Sequence, residues 1–204
     1  MGLDMYLYRF NRVGNLGPSD ICRANEYFDW REDPAAQKYS LKKWCGVKES
    51  ELPGADDMEE IACQRDTRYY AWDKERRHPF RSSYEQVAYW RKANEIHKWF
   101  VDRVQGGTDD CEFHREVTKG DLKELAAACR DVLLHGVCAD GDAVMAVDYE
   151  YCRKVLPTQS GFFFGGAEYD KWYVRDLRKT AEVCEELADS TDFDSQMIYY
   201  VSSW

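Results

Sequence analysis

A chain of 204 residues with 44% apolar and 32% charged residues has a globular composition and is long enough for one sizeable core. Its formal net charge is −10, and the excess is one-sided: residues 1–100 carry 17 Lys and Arg against 17 Asp and Glu, residues 101–204 carry 11 against 21. The acidic half argues against direct nucleic-acid binding, which needs a basic footprint, and no run approaches the roughly 18 uninterrupted apolar residues that span a bilayer.

Asp4–Phe10 alternates as a strand, with Tyr6, Tyr8 and Phe10 on one face. Gly14, Gly17 and Pro18 make Asn11–Pro18 a loop. Short helical patterns follow at Ser19–Phe28 and Ala35–Trp44, and Ile61–Trp72 reads as holding a strand, best placed at Thr67–Trp72. Residues 11–83 as a whole read as a variable insertion or subdomain within a single domain spanning residues 1–204.

From Ser82–Ser83 a long helix is expected to run to Val104 and stop at Gly106-Gly107, burying Val87, Trp90, Asn94, His97, Val101 and Val104. Cys111–Val117 has strand character. Thr118–Asp121 then resembles a helix start, with Leu122, Leu125, Cys129 and Val132 on the apolar face and an end near His135-Gly136. Ala139–Asp142 is a polar break, and a helix is expected from Val144 to Leu156, before Pro157. Asp170 opens a helix to Leu187 that buries Tyr173, Leu177, Thr180, Cys184 and Leu187; Ser190–Ser195 turns, and Met197–Trp204 closes as a strand. The expected fold is α+β: a small, mainly antiparallel sheet containing both end strands, joined by Cys111–Val117 and Thr67–Trp72, with about four main helices packed on it.

The N-terminus lacks a basic stretch leading into an apolar run, so the expected location is cytoplasmic. Eight cysteines without a C-x-x-C pair, and without Cys/His pairs at zinc spacing, point neither to a disulfide framework nor to structural zinc.

Four constellations could carry chemistry. Arg91, Asn94 and His97 share the long helix; a buried Asn and His need hydrogen-bond partners, either as a lock between helix and sheet or as a pocket. Asp109, Asp110 and Glu112 could offer oxygen ligands, but their spacing is not that of an EF-hand, and a solvated turn is the simpler reading, so no metal is expected. Gly161, Gly165 and Gly166 frame Phe162–Phe164, a run that suits a buried strand or core wedge. Gln159, Ser160, Tyr169 and Asp170 beside it could line a pocket mouth, although neither a Walker nor a dinucleotide fingerprint is present. Cys111 and His114 would point to opposite faces of a strand, which argues against a thiol nucleophile.

Several blocks also carry a family resemblance: Met1-Gly-Leu-Asp-Met-Tyr-Leu-Tyr8, Tyr89–His97 with Trp99-Phe100, Gly107–Cys111, Leu156–Gly165 with Tyr169-Asp170, and Tyr200-Val-Ser-Ser-Trp204. Together they resemble a phage- and prophage-associated protein family, while residues 11–83 carry almost none of the likeness. The resemblance implies a phage-related setting and brings no catalytic residue with it.

The resulting expectation is a binding protein without a cofactor that counteracts host defence. It would either sequester a nucleotide-like small molecule at Trp90, Arg91, Asn94, His97, Gln159, Ser160, Tyr169 and Asp170, or block a host defence protein through its acidic C-terminal half. The alternative is a small enzyme acting on a nucleotide or phosphate ester, with His97 and Asp110 or Asp170 as acid and base.

Overall fold

The structure, a computed structural model, describes residues 2–68, 80–141 and 143–204. In chain order the elements are β1 (Asp4–Asn11), α1 (Pro18–Glu32), α2 (Leu41–Cys45), α3 (Ala55–Gln64), β2 (Asp66–Arg68), β3 (Phe80–Ser82), β4 (Tyr84–Arg91), α4 (Asn94–Arg103), α5 (Lys119–Asp131), β5 (Val137–Asp140), β6 (Ala143–Val147), α6 (Tyr149–Val155), α7 (Lys171–Ser190) and β7 (Gln196–Ser203). The chain divides into two compact units, residues 1–8 with 86–204, and residues 9–85.

In the first unit the two end strands are neighbours: the sheet order is β4-β1-β7. The Lys92 N–H donates to the Leu3 carbonyl at 2.8 Å, so the end of β4 meets the start of β1 and the two run antiparallel. Leu3 just before β1 with Met5 and Leu7 in it, Ala88 and Trp90 of β4, and Ile198 and Tyr200 of β7 alternate at period two, and all enter one core. Tyr6 and Tyr8 therefore stand on the opposite face, where their rings stack at 5.7 Å. α7 supplies Tyr173, Leu177, Thr180, Cys184 and Leu187 to the buried side, as its spacing predicts, and packs along α5, which contributes Leu122, Leu125 and Cys129. The α5 start is a capping box: Asp121 N–H donates to Thr118 Oγ1 (3.1 Å) and Thr118 N–H donates to Asp121 Oδ2 (2.8 Å).

Four expectations are corrected. Tyr84–Arg91 is a strand, not the first half of a helix. Val87, Trp90 and Asn94 sit three and four apart by coincidence across a boundary, whereas Ala88 and Trp90 give the real alternation. Lys92, at φ 63, turns the chain between strand and helix. Cys111–Val117 is irregular: Asp110 Oδ1 accepts the Glu112 N–H (3.0 Å) and contacts His114 Nε2 (2.9 Å), a local arrangement that competes with ladder bonding. The Val117 N–H reaches β7, at the Ile198 carbonyl (2.8 Å), and the Phe113 ring meets Tyr199 edge-on at 6.0 Å. Residues 144–147 form β6, paired antiparallel with β5 around Gly141, and Asp148 then caps the shorter α6 through the Tyr151 N–H (3.0 Å). The Gly161–Gly166 run is a turn: Phe164 is buried, while Phe162 is 96% exposed.

In the second unit, α1 extends beyond its expected end, to Glu32, and α2 is reduced to Leu41–Cys45. Ile61 belongs to α3 rather than to a strand. Of Thr67–Trp72, Thr67 and Arg68 lie in β2, which pairs with β3 in a separate two-stranded sheet rather than with the end strands; the remainder falls outside the described residues. The buried Arg65 ties this unit internally, donating to the Asn25 carbonyl (2.9 Å) and to Asp29 (2.5 Å) with its guanidinium over the Phe28 ring. Asn25 in turn donates to the Ser83 hydroxyl (2.7 Å) and accepts from the Ser83 N–H (3.1 Å).

No helix among the described residues is long and apolar enough to cross a membrane, and all eight cysteines are free thiols.

Phe100 lies flat on Tyr200, with centroids 4.1 Å apart and planes 7° from parallel, at the centre of the first unit's core. Phe100→Ala is expected to cost about 3–5 kcal/mol, the usual range for a fully buried aromatic. A urea midpoint shift at unchanged slope measures it.

Candidate functional site

In the first unit, the end of β4, the first turn of α4, the segment before α7 and the first turns of α7 enclose a cleft of about 620 Å³. Its walls carry Arg91, Lys92, Arg175 and Lys179, four carboxylates (Glu95, Glu168, Asp170 and Asp176), and the aromatic rings of Tyr89 and Trp172. A concave site of this size with converging polar groups is the usual form of a small-molecule site.

Asn94 builds one wall. Its Nδ2 donates to the carbonyls of Gly166 (2.8 Å) and Phe164 (3.2 Å), and its Oδ1 accepts the Gln159 N–H (2.7 Å). The side chain thereby spends all three of these bonds on the backbone of the preceding loop. Gly165 completes the turn at φ 87, with Lys92 Cβ only 3.1 Å from where its own Cβ would stand, so only glycine fits there without strain. Thr158 donates from Oγ1 to the Ala167 carbonyl (2.9 Å). Asp170 caps α7, accepting the N–H groups of Trp172 (2.8 Å) and Tyr173 (3.3 Å). Lys179 donates to the Tyr89 carbonyl (2.5 Å), tying α7 to β4, and Tyr89 donates its hydroxyl to Asp4.

The electrostatics are uneven. Glu95 is only 3% exposed, and its Oε1 has no hydrogen-bond partner. Burial, reinforced by the charge of Asp176, pushes its carboxyl well above the ordinary range. Burial likewise raises Asp176 to about 6, against the pull of Lys179 and Arg175. Lys179 is lowered, again chiefly by burial. Two carboxyls raised by burial thus share a cleft with four cationic side chains, a combination that makes the cleft a candidate functional site.

Of the residues expected from sequence, Trp90, Arg91, Asn94 and Asp170 line the cleft. Trp90 does so as a buried ring, its indole N–H committed to Thr180 Oγ1 (2.9 Å). His97, Gln159, Ser160 and Tyr169 do not line it. His97 is fully buried between Tyr200 Oη (2.7 Å from Nδ1) and Asp109 Oδ1 (3.0 Å from Nε2), with Phe164 edge-on at 5.1 Å, so it locks α4 to β7. Gln159 contributes its backbone N–H to Asn94, Ser160 is exposed, and Tyr169 packs against Tyr173 and Tyr149.

Asp109 and Asp110 face His97, Trp204 and His114, and among the described residues no group of three or more His, Cys, Asp or Glu side chains is placed to hold a metal ion.

Lys92, Glu95, Trp172, Arg175, Asp176 and Lys179 escaped the sequence reading. For α7 the signal was there: Trp172, Arg175, Asp176 and Lys179 recur at spacings of three and four opposite the apolar stripe. For Glu95 it was not, because its spacing of three and seven to Lys98 and Asp102 reads as one exposed polar stripe, whereas Glu95 is buried and Lys98 and Asp102 pair outside. No family model, no curated protein and no solved structure matches the chain.

Removing the Asn94 carboxamide orphans two carbonyls and one N–H, each costing about 1–3 kcal/mol where water cannot replace it. Asn94→Ala is therefore expected to lose about 2 kcal/mol or more in urea unfolding. Asp176 gives a pH test. Because its folded-state pKa is raised, its stabilising contribution is complete below the ordinary carboxyl range and is lost as pH rises through about 6. Asp176→Asn should thus melt about 2–4 °C above the parent at pH 7, the shift that 1 kcal/mol gives in a chain of this size, with the gap closing at pH 4.

Proposed function

We propose that the chain is a binding protein that holds a nucleotide-like small molecule in this cleft and, in a phage-related setting, removes that ligand from a host defence pathway. The observation that carries the reading is Glu95: a buried carboxyl with an unpartnered oxygen, lining an open cleft, is a group waiting for a ligand. The rest of the lining suits the same ligand class. Arg91, Lys92, Arg175 and Lys179 favour phosphate, and the α7 N-terminus adds its dipole. Trp172 and Tyr89 offer faces for a base, although Lys171 and Arg175 already lie 5.0 and 5.4 Å from the Trp172 centroid and one of them would yield. Occupation of a basic protein groove by the acidic C-terminal half draws support only from net charge.

A second reading has its own support. Asp176, titrating near 6 beside the cleft, could serve as general acid or base toward a bound phosphate ester. His97, enclosed by Tyr200 and Asp109, lies away from the cleft lining.

Titration calorimetry and native mass spectrometry against a panel of purine and pyrimidine nucleotides test the binding reading. Arg91→Glu and Arg175→Glu, both at exposed positions, should weaken binding by about tenfold or more each, with circular dichroism unchanged. Failure of every nucleotide to bind at millimolar concentration would overturn the reading. Turnover of any member, abolished by Asp176→Asn with binding retained, would favour the enzyme.

A further inference from the structure

The hydrogen-bonding groups of the cleft are unevenly spent. Its neutral side-chain donors, the Trp172 indole apart, are committed: both Asn94 Nδ2 hydrogens to Phe164 and Gly166, the Trp90 indole to Thr180, the Tyr173 hydroxyl to the Leu156 carbonyl (2.8 Å), the Thr158 hydroxyl to Ala167, and the Tyr89 hydroxyl to Asp4. The N–H groups of Trp172 and Tyr173 go to Asp170. What remains is a buried acceptor, Glu95 Oε1, the carboxylates of Glu168 and Asp176, and a set of cations at exposed positions, Arg91, Lys92 and Arg175, while Lys179 is held by the Tyr89 carbonyl. A complementary ligand therefore brings hydrogen-bond donors to Glu95 and an anion to the cations.

Resting on the nucleotide reading of the same cleft, we propose that its ligand is a guanine nucleotide, with the N1–H and 2-amino group of the base donating to the Glu95 carboxylate. Among the common bases, guanine alone presents two adjacent donors on its Watson–Crick edge. Adenine and cytosine present one donor beside an acceptor, and uracil presents a donor between two acceptors. Against the ionised form of the Glu95 carboxyl an acceptor leaves both groups unpaired, and sites built on buried hydrogen bonds reject such analogues strongly. A bidentate donor pair also supplies what Glu95 lacks: burial raises its carboxyl in the empty cleft, and two N–H groups in place of the water it has lost favour the ionised form. The groups surrounding its charge are Asp170, Asp176 and Tyr173 of α7, Cys129 of α5, and the cations already named. None of them offers Glu95 an ion pair in this structure, and beyond its own backbone N–H the compensating donors are left to the ligand.

Calorimetry with GMP, IMP and AMP on the full chain, in two buffers of different ionisation enthalpy, tests this. GMP should bind about tenfold or more tighter than AMP, with IMP, which keeps N1–H but lacks the 2-amino group, between them. GMP binding should release a proton as Glu95 ionises. Glu95→Gln should erase the preference for GMP over IMP, whereas Arg175→Glu should weaken all three alike. Equal affinities for GMP, IMP and AMP in the unaltered protein would overturn the base assignment while leaving the nucleotide reading standing. GMP binding without proton release would overturn it as well. Absence of binding by all three, and by the wider nucleotide panel, would overturn both. The comparison of GMP with IMP needs no variant and stands even where Glu95→Gln fails to fold.

Discussion

A single carboxamide sets the geometry on which the cleft depends. Asn94 occupies the first position of α4 and satisfies three backbone groups of the loop between α6 and α7. Those groups lie in a loop outside any ladder, and Asn94 pairs them across it, the Phe164 carbonyl in a buried setting and the other two at its partly buried margin. One turn along the same helix, His97 clamps Tyr200 of the last strand and Asp109 beyond the helix end. A helix of only ten residues is thus fastened on two sides by polar contacts. It is too short to be stable on its own helix propensity, and the burial of Ile96, Trp99 and Phe100 completes its anchoring.

Rigidity in this wall has an electrostatic use. Glu95 lies between Asn94 and His97 and is carried into the interior by their anchoring. Its own preference for water is overridden by the residues on either side, which is how a fold holds a destabilised group in place. Asp176 stands in a similar position on α7, whose buried stripe of Tyr173, Leu177 and Thr180 fixes the helix irrespective of what its outer face carries. Stability is concentrated in the apolar stripes and in the Asn94 and His97 brackets, and it is given up at the two carboxyls between them.

The elements most legible in the sequence were those whose local signal and tertiary role agree. Asp4–Phe10, the capping box at Thr118, the α7 stripe and the closing strand each show a single period and a matching terminator. The reading failed where two elements meet without a Gly or Pro between them. Trp90 and Asn94 sit four apart on either side of Lys92, a residue with no sequence bias toward positive φ, so strand and helix merged into one pattern. At Val144–Val147 the β-branched residues were taken into the helix that follows, although the Asp-Gly pair ahead of them signalled a hairpin. The candidate site was half legible for the same reason. Asn94, Trp90, Arg91 and Asp170 stood out by type, while Glu95 is noticeable only once the phase of α4 is known. His97 drew attention as a lone buried imidazole and is a bracket between elements, its two nitrogens already occupied.

The strand order β4-β1-β7 also constrains how the molecule is made. Of the three strands in this sheet the central one is made first, and its two neighbours are separated from it by most of the second unit on one side and by nearly all of the 204 residues on the other. Local helices such as α5 and α7 can form and pair during synthesis, but β1 has no lasting partner until β4 emerges and remains half-edged until β7 does. During that interval Leu3, Met5 and Leu7 are an uncovered apolar face beside unpaired backbone, the arrangement that recruits chaperones or foreign strands. Translation speed and chaperone supply therefore bear on the yield of native protein alongside its final stability.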